Sequence, residues 1–221
     1  MVAPTTSPKT SLYDGFAQTG QALASGRRVE ILDVLAQGER SVEGLAASTG
    51  LSLANCSRHL QVLKQAGLVS RRRQGVQVYY RLASAKVLTL LNLLRQVAHD
   101  HSAQVRALAQ EYLGGEAEPV TREELLALLR EGRVEVIDVR PQEEYRAGHL
   151  SGARSIPIEQ LEARLAEVRD DREVVAYCRG RFCAYAHQAV RLLERAGRRA
   201  RRLEDGLPEW GLAGLPVESE R

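Results

Sequence analysis

The chain has 221 residues, 44% of them hydrophobic and 27% charged, an ordinary balance for a globular protein and enough for two domains. No apolar run approaches the roughly 20 residues that span a bilayer, and the N-terminus MVAPTTSPKTSLYDG lacks the apolar middle of a secretory signal, so no membrane association and a cytoplasmic location are expected. The net charge of +3 is unevenly divided: residues 1–113 carry 13 Lys and Arg against 7 Asp and Glu, residues 114–221 carry 18 against 21, and a polyanionic partner is expected for the first half only.

In chain order, residues 1–10 read as disordered, and residues 12–25 and 28–37 as helices, the second marked by Val29, Leu32 and Leu35 on one face. RSVEGLAAST is a short helix opened by Ser41 and stopped at Gly50. SLANCSRHLQVLKQAG is a longer one, with Leu53, Cys56, Leu60 and Leu63 at helical spacing and Gly67 at its end. In LVSRRRQGVQVYYRLAS apolar residues alternate on either side of Arg73-Gln74-Gly75, the pattern of a hairpin. Residues 85–113 read as one helix, about 43 Å long at 1.5 Å per residue, whose long apolar stripe calls for a partner helix. The first domain is therefore placed at 11–113, the linker at 114–119 around Gly114-Gly115, and the second domain at 120–218.

Two short helices joined at Gly50 and followed by a basic hairpin form a winged helix-turn-helix, mainly α, whose second helix would enter a major groove of double-stranded DNA. Its outward residues are Ser52, Ala54, Asn55, Ser57, Arg58 and Gln61, short polar groups and one arginine suited to base edges and phosphates. Arg71, Arg72, Arg73 and Gln74 of the hairpin would reach phosphate or minor groove, making binding dependent on salt. The stretch SRHLQVLKQAGLVSRRRQGVQVYYRL closely resembles the recognition helix and wing of the ArsR family of dimeric bacterial repressors. That resemblance implies a homodimer, formed through the first helix and helix 85–113, on a two-fold operator. Metal sites of that family are not matched: SVEGLAAST has no Cys, His or Asp, and His99, Asp100 and His101 are followed by Glu111 but no later histidine on that helix, an incomplete set for zinc. No metal site is assigned. Cys56 falls on the apolar side of its helix, as a small core residue or, alternatively, a sensor thiol.

The second half alternates helices and strands, which argues an α/β domain with a parallel sheet. TREELLALLREG is a helix with Thr121 at the N-cap and Glu124 three residues on; VEVIDVR is a buried strand, SIP an edge strand, EQLEARLAEV a helix, EVVAYC a central strand, AYAHQAVRLLERAG a helix and RRARRLED a strand. Two of only three cysteines lie in the loop CRGRFC between the central strand EVVAYC and the helix AYAHQAVRLLERAG. Backbone N–H groups at such a turn, the helix N-terminus, Arg179 and Arg181 together form an environment expected to lower the Cys178 thiol pKa.

VIDVRPQEEYRAGHLSGARSIP, with Asp138, Arg140, Glu144, His149, Gly152, Ala153 and Pro157, and LEDGLPEWGLAGLPV, with Gly206, Trp210 and Pro216, resemble the two signatures of the rhodanese family of sulfurtransferases over residues 119–218. The resemblance implies that Cys178 takes a sulfane sulfur from thiosulfate or a polysulfide, and that the loop N–H groups from Arg179 through Gly180, Arg181 and Phe182 to Cys183 cradle the persulfide. Arg179 and Arg181 would attract the anionic donor, and Asp138 and Arg140 complete the site. No cofactor beyond the covalent persulfide is implied. The position six after Cys178 is Ala184, which departs from the Cys-x5-Arg loop of related phosphatases. Cys183 either caps the following helix as a serine would or attacks the persulfide by thiol exchange.

A DNA-binding regulator, by this reading a repressor, with a sulfur-responsive second domain is the expected function. A sulfurtransferase carried on a DNA-binding dimer and a thiol-based metal or arsenite regulator are the alternatives.

Overall fold

In the computed structural model, which describes residues 7–115 and 117–220, the chain divides between Leu93 and Leu94 into two units. The first opens with α1 (Pro8–Leu23), earlier than expected: the Ser7 hydroxyl accepts the Thr10 N–H and Pro8 supplies a helical φ at the first turn. The rest of the stretch expected to be disordered, residues 1–6, lies outside the described residues. Then follow α2 (Gly26–Ala36), β1 (Arg40–Ser41), α3 (Val42–Thr49) and α4 (Leu53–Gln65). Ser41 and Ser52 cap α3 and α4, and Gly50 takes the left-handed conformation, φ 64°, that lets the turn between them be tight.

β2 (Val69–Gln74) and β3 (Gln77–Leu82) form the hairpin, closed by Gly75-Val76, one position beyond the expected turn because Gln74 still pairs with Gln77. β1 adds a short third strand to β3, too brief to show an alternating pattern in the sequence. Ile31, Leu32, Leu45, Cys56, Leu60, Leu63 and Leu91 fill the core, each large aliphatic contributing about 2 kcal/mol of burial. Leu53, whose spacing places it on the same stripe, is instead 51% exposed in the first turn of α4.

The helix expected over residues 85–113 is two: α5 (Ala85–His101), which contains the division between the units, and α6 (Ala103–Leu113). Ser102 is extended, its hydroxyl accepts the Val105 N–H, and Arg106 donates to the carbonyls of His99 and Asp100 freed at the break.

The second unit continues with β4 (Pro119–Val120), α7 (Arg122–Arg130), β5 (Val134–Asp138), α8 (Gln142–Ala147), β6 (His149–Leu150), β7 (Arg154–Ser155), α9 (Ile158–Leu161), β8 (Glu173–Tyr177), α10 (Ala184–Arg195), β9 (Ala200–Leu203), α11 (Leu207–Leu212) and β10 (Val217–Glu218). Five strands form a parallel sheet in the order β4-β9-β8-β5-β7, with β8 central and β7 at an edge. Alternate residues of β8 feed two cores: Val174 and Ala176 pack with Ile137, Val190 and Leu193, whereas Val175 and Tyr177 pack with Val136, Leu125 and Trp210. The helix expected from EQLEARLAEV shrinks to the single turn of α9 and a 3-10 turn at Leu165–Glu167, where Arg154 takes the Glu167 carbonyl. In and beside the expected linker, Ala117 is buried and Pro119 and Val120 pair with Arg202 and Leu203 in the sheet. Among the described residues no helix is long and apolar enough to cross a membrane.

Candidate functional site

In the first unit, Ser52, Ala54, Asn55, Arg58 and Gln61 stand exposed on α4, and Ser57 is half-buried. Cys56, Leu60 and Leu63 hold the opposite side of the helix in the core, which fixes the polar face outward. The Ser52 hydroxyl is committed to the Asn55 N–H, so its part in any contact outside the chain is secondary to capping. Burial pushes the Cys56 thiol up from its ordinary value, with Glu43 adding to the rise, which fits a core residue rather than an exposed thiolate.

The three wing arginines are not equivalent. Arg71, Arg72, Arg73 and Gln74 are all exposed, but Arg72 points to the other face of the hairpin from Arg71 and Arg73. Its guanidinium lies 2.5 Å from Glu39, bonds Gln74 at 2.7 Å and covers the Tyr79 ring at 4.7 Å. Arg72 therefore braces the wing, and among the described residues Arg71 and Arg73 make no ion pair.

In the second unit Cys178 follows the last residue of β8 and is 2% exposed. Gly180, at φ 128°, lets the chain turn so that the Cys183 N–H bonds the Gly180 carbonyl at 3.0 Å and residue 183 returns over residue 178. The Cys178 sulfur lies 3.5 Å from the Cys183 carbonyl oxygen and 3.9 Å from that of Gly180. The expectation that the loop lowers the Cys178 pKa is reversed. Burial pushes this thiol well up, and its hydrogen bond and charge interaction with Cys183 add to the rise, against the N–H groups of Ala186 and Gly180. The depression falls on Cys183, where the hydrogen bond from Cys178 outweighs burial and the Arg179 backbone and charge assist. Cys183 is half-buried and occupies the N-cap of α10, yet its side chain makes no capping hydrogen bond.

Arg179 and Arg181 also part company. Arg181 is exposed, with its guanidinium 5.8 Å from the Phe182 ring. Arg179 is folded back, bidentate on the buried Glu144 at 2.5 and 3.1 Å and 5.6 Å from the Tyr185 ring, so it anchors the loop rather than meeting a donor. From the other side the loop rests against Gly206: a Cβ there would lie 2.5 Å from the Arg179 carbonyl oxygen and the Gly180 nitrogen. Glu209 accepts the Gly206 N–H at 2.9 Å and holds that contact. Glu144, Gly206 and Glu209 are not among the expected site residues; all three stand in the quoted signatures, but a pairing such as Arg179 with Glu144, 35 residues apart, leaves no local pattern.

Asp138 and Arg140 are wholly buried and ion-paired at 2.6 Å. The Tyr177 hydroxyl donates to Asp138 at 2.5 Å and accepts the Leu150 N–H, and Arg140 donates to the Gly148 carbonyl at 2.7 Å. With no exposed polar atom, this network ties β5, β8 and β6 together.

The loop also meets the helical segment of its own unit. The Phe182 ring lies 5.5 Å from that of His99, and α10 reaches back through Arg191, which donates to the Leu113 and Gly114 carbonyls, and His187, which bonds the Gly115 carbonyl at 3.2 Å. His99 pairs with its neighbour Asp100 at 3.3 Å, and among the described residues no three His, Cys, Asp or Glu side chains are grouped to hold a metal ion.

Comparison with known proteins finds a match in each half of the chain. Residues 25–71 match the bacterial regulatory protein, arsR family, and residues 121–213 match the rhodanese-like domain. The chain is similar to the HTH-type transcriptional regulator Rv0324 of Mycobacterium tuberculosis, 51% identical over 210 residues that cover 95% of this chain and 93% of that protein. It is similar to protein YqhL of Bacillus subtilis, 36% identical over 93 residues, 42% of this chain and 71% of that one. Among solved structures it is similar to the homodimeric winged helix-turn-helix DNA-binding domain Mb0332 of Mycobacterium bovis, 47% identical, covering 47% of this chain and 95% of that one with a TM-score of 0.42.

Proposed function

This chain belongs to the arsR family of bacterial transcriptional regulators and carries a rhodanese-like domain after its DNA-binding domain, and from that premise we propose that sulfane sulfur, held as a persulfide on Cys178, sets its affinity for operator DNA. The observation that carries the proposal is the two-cysteine loop, which closes over Cys178 at the end of the central strand and meets His99 through Phe182. A thiolate at Cys178 attacks the donor's sulfane sulfur, the donor's S–S bond breaks, and the remainder of the donor leaves as an anion. The proton that Cys178 holds in the resting loop goes to Cys183 or to solvent.

Donors are inorganic polysulfide or thiosulfate. With Arg179 bound to Glu144, only Arg181 of the two loop arginines is available to draw them in. The buried sulfur and its braced loop favour a carrier that changes state over an enzyme that turns over.

On the DNA side, α4 enters the major groove of a two-fold operator and Arg71 and Arg73 follow the backbone. The active species is a homodimer. Its support is the exposed apolar side chains of α1 (Leu12, Tyr13, Phe16), of α5 (Leu90, Leu93, Leu94, Val97) and of α6 (Leu108).

The reading is tested by treating the reduced full chain with inorganic polysulfide and locating added sulfur by peptide mass spectrometry. A persulfide on Cys178, or a disulfide of Cys178 formed from it, is expected in the wild type, and neither in Cys178→Ser. The same products in the variant, or modification confined to Cys56, refute it.

A further inference from the structure

We propose that Cys183 is a resolving thiol: it converts a persulfide on Cys178 into a Cys178–Cys183 disulfide and releases sulfide. The inference deepens the reading above and rests on Cys178 being the sulfur carrier.

Three observations carry it. The loop is folded so that residue 183 returns over residue 178, fixed by the Cys183 N–H to Gly180 carbonyl bond at 3.0 Å, and the Cys178 sulfur sits 3.5 Å from the Cys183 carbonyl. Cys183 holds the N-cap of α10 without performing the capping that would explain a small polar side chain there. It is also the more accessible of the two thiols, half-buried where Cys178 is buried. The lowered Cys183 thiol, hydrogen-bonded to its neighbour, agrees with an attacking role.

The step balances without an outside oxidant. The Cys183 thiolate attacks the Sγ of Cys178 in Cys178–S–SH. A bond forms between the two cysteine sulfurs, the Cys178 S–S bond breaks, and the terminal sulfur leaves as HS− with the bonding electron pair. The two cysteine sulfurs together lose two electrons, and the sulfane sulfur, brought by the polysulfide, is reduced to sulfide. The signal is then stored as a ring closed across the loop, reversible by a cellular dithiol.

The test follows intact mass and sulfide release when the reduced full chain meets inorganic polysulfide. The wild type is expected to lose two hydrogens, to yield a peptide linking Cys178 to Cys183, and to release more sulfide than Cys183→Ser does. Cys183→Ser and Cys183→Ala are each expected to stop at one added sulfur atom on Cys178. A wild type that keeps the added sulfur on Cys178 with Cys183 free, or that links the two cysteines through a retained sulfur atom, overturns the proposal. Folded Cys183 variants that gain no sulfur at all remove the carrier role of Cys178 instead, and the resolving step falls with it.

Discussion

At the scale of single residues, the two-cysteine loop depends on side chains that never touch a donor. Gly206 has φ −102°, which any residue can adopt, so its need for glycine is purely steric. Gly206→Ala must displace the backbone at Arg179 and Gly180. It is expected to cost about 2 kcal/mol of stability and to slow sulfur loading at Cys178 well beyond what that loss explains, as read by thermal melting beside a timed mass assay. An alanine variant that loads at the wild-type rate would show that the Gly206 contact does not shape the loop. His187 offers a test by pH. Burial first, then Arg202, holds its imidazole below the ordinary value of 6.5. The unfolded chain therefore takes up the proton before the folded one, and stability conferred by the neutral ring is complete above the ordinary value and lost as pH falls below it. Between about pH 7 and pH 5 the wild type should lose more thermal stability than His187→Gln; equal losses would contradict the assignment.

At the scale of elements, much of the chain is legible from local chemistry. Ser41 and Thr121 are caps in the structure as their positions indicate, Ser52 is a further cap where a DNA contact is expected, and Gly50 and Gly114 end helices in the left-handed conformation. The parallel sheet follows from the alternation of strand and helix. What the pattern hides is competition between local options: residues 85–113 keep helical periodicity throughout, yet the Ser102 hydroxyl and Arg106 stabilise a break. In the same way the RRR run gives three cations, but only pairing across the hairpin reveals that Arg72 belongs to Glu39. DNA titrations over a range of salt should therefore separate them. Arg71→Ala and Arg73→Ala should each reduce the slope of log affinity against log salt by about 1, whereas Arg72→Ala should leave the slope nearly unchanged. Three equal effects would refute the division of roles. The site itself is half legible: Cys178 and Cys183 stand out by their spacing, and the groups that shift their thiols lie in the loop and the first turn of α10, but Glu144, which pins Arg179, and Gly206, against which the loop rests, come from distant segments.

At the scale of the whole molecule, the chain joins a DNA-binding domain to a rhodanese-like one, and the account requires that chemistry in the second alter the first. The coupling demanded is about 1–3 kcal/mol, the ordinary range for a regulator. The contacts of Phe182 with His99, of Arg191 with the end of α6 and of His187 with Gly115 lie between the loop and the helical segment within one unit, and they are the groups through which a closed or persulfidated loop would act. The most direct measurement is the affinity of the full chain for its operator before and after inorganic polysulfide, in wild type and Cys178→Ser at fixed salt. The account predicts a shift of roughly 5- to 150-fold in the wild type and none in the variant, with the shift reversed by a dithiol reductant. Sulfur carried on Cys178 with no change in DNA affinity would contradict it and leave the second domain a sulfur carrier independent of the first.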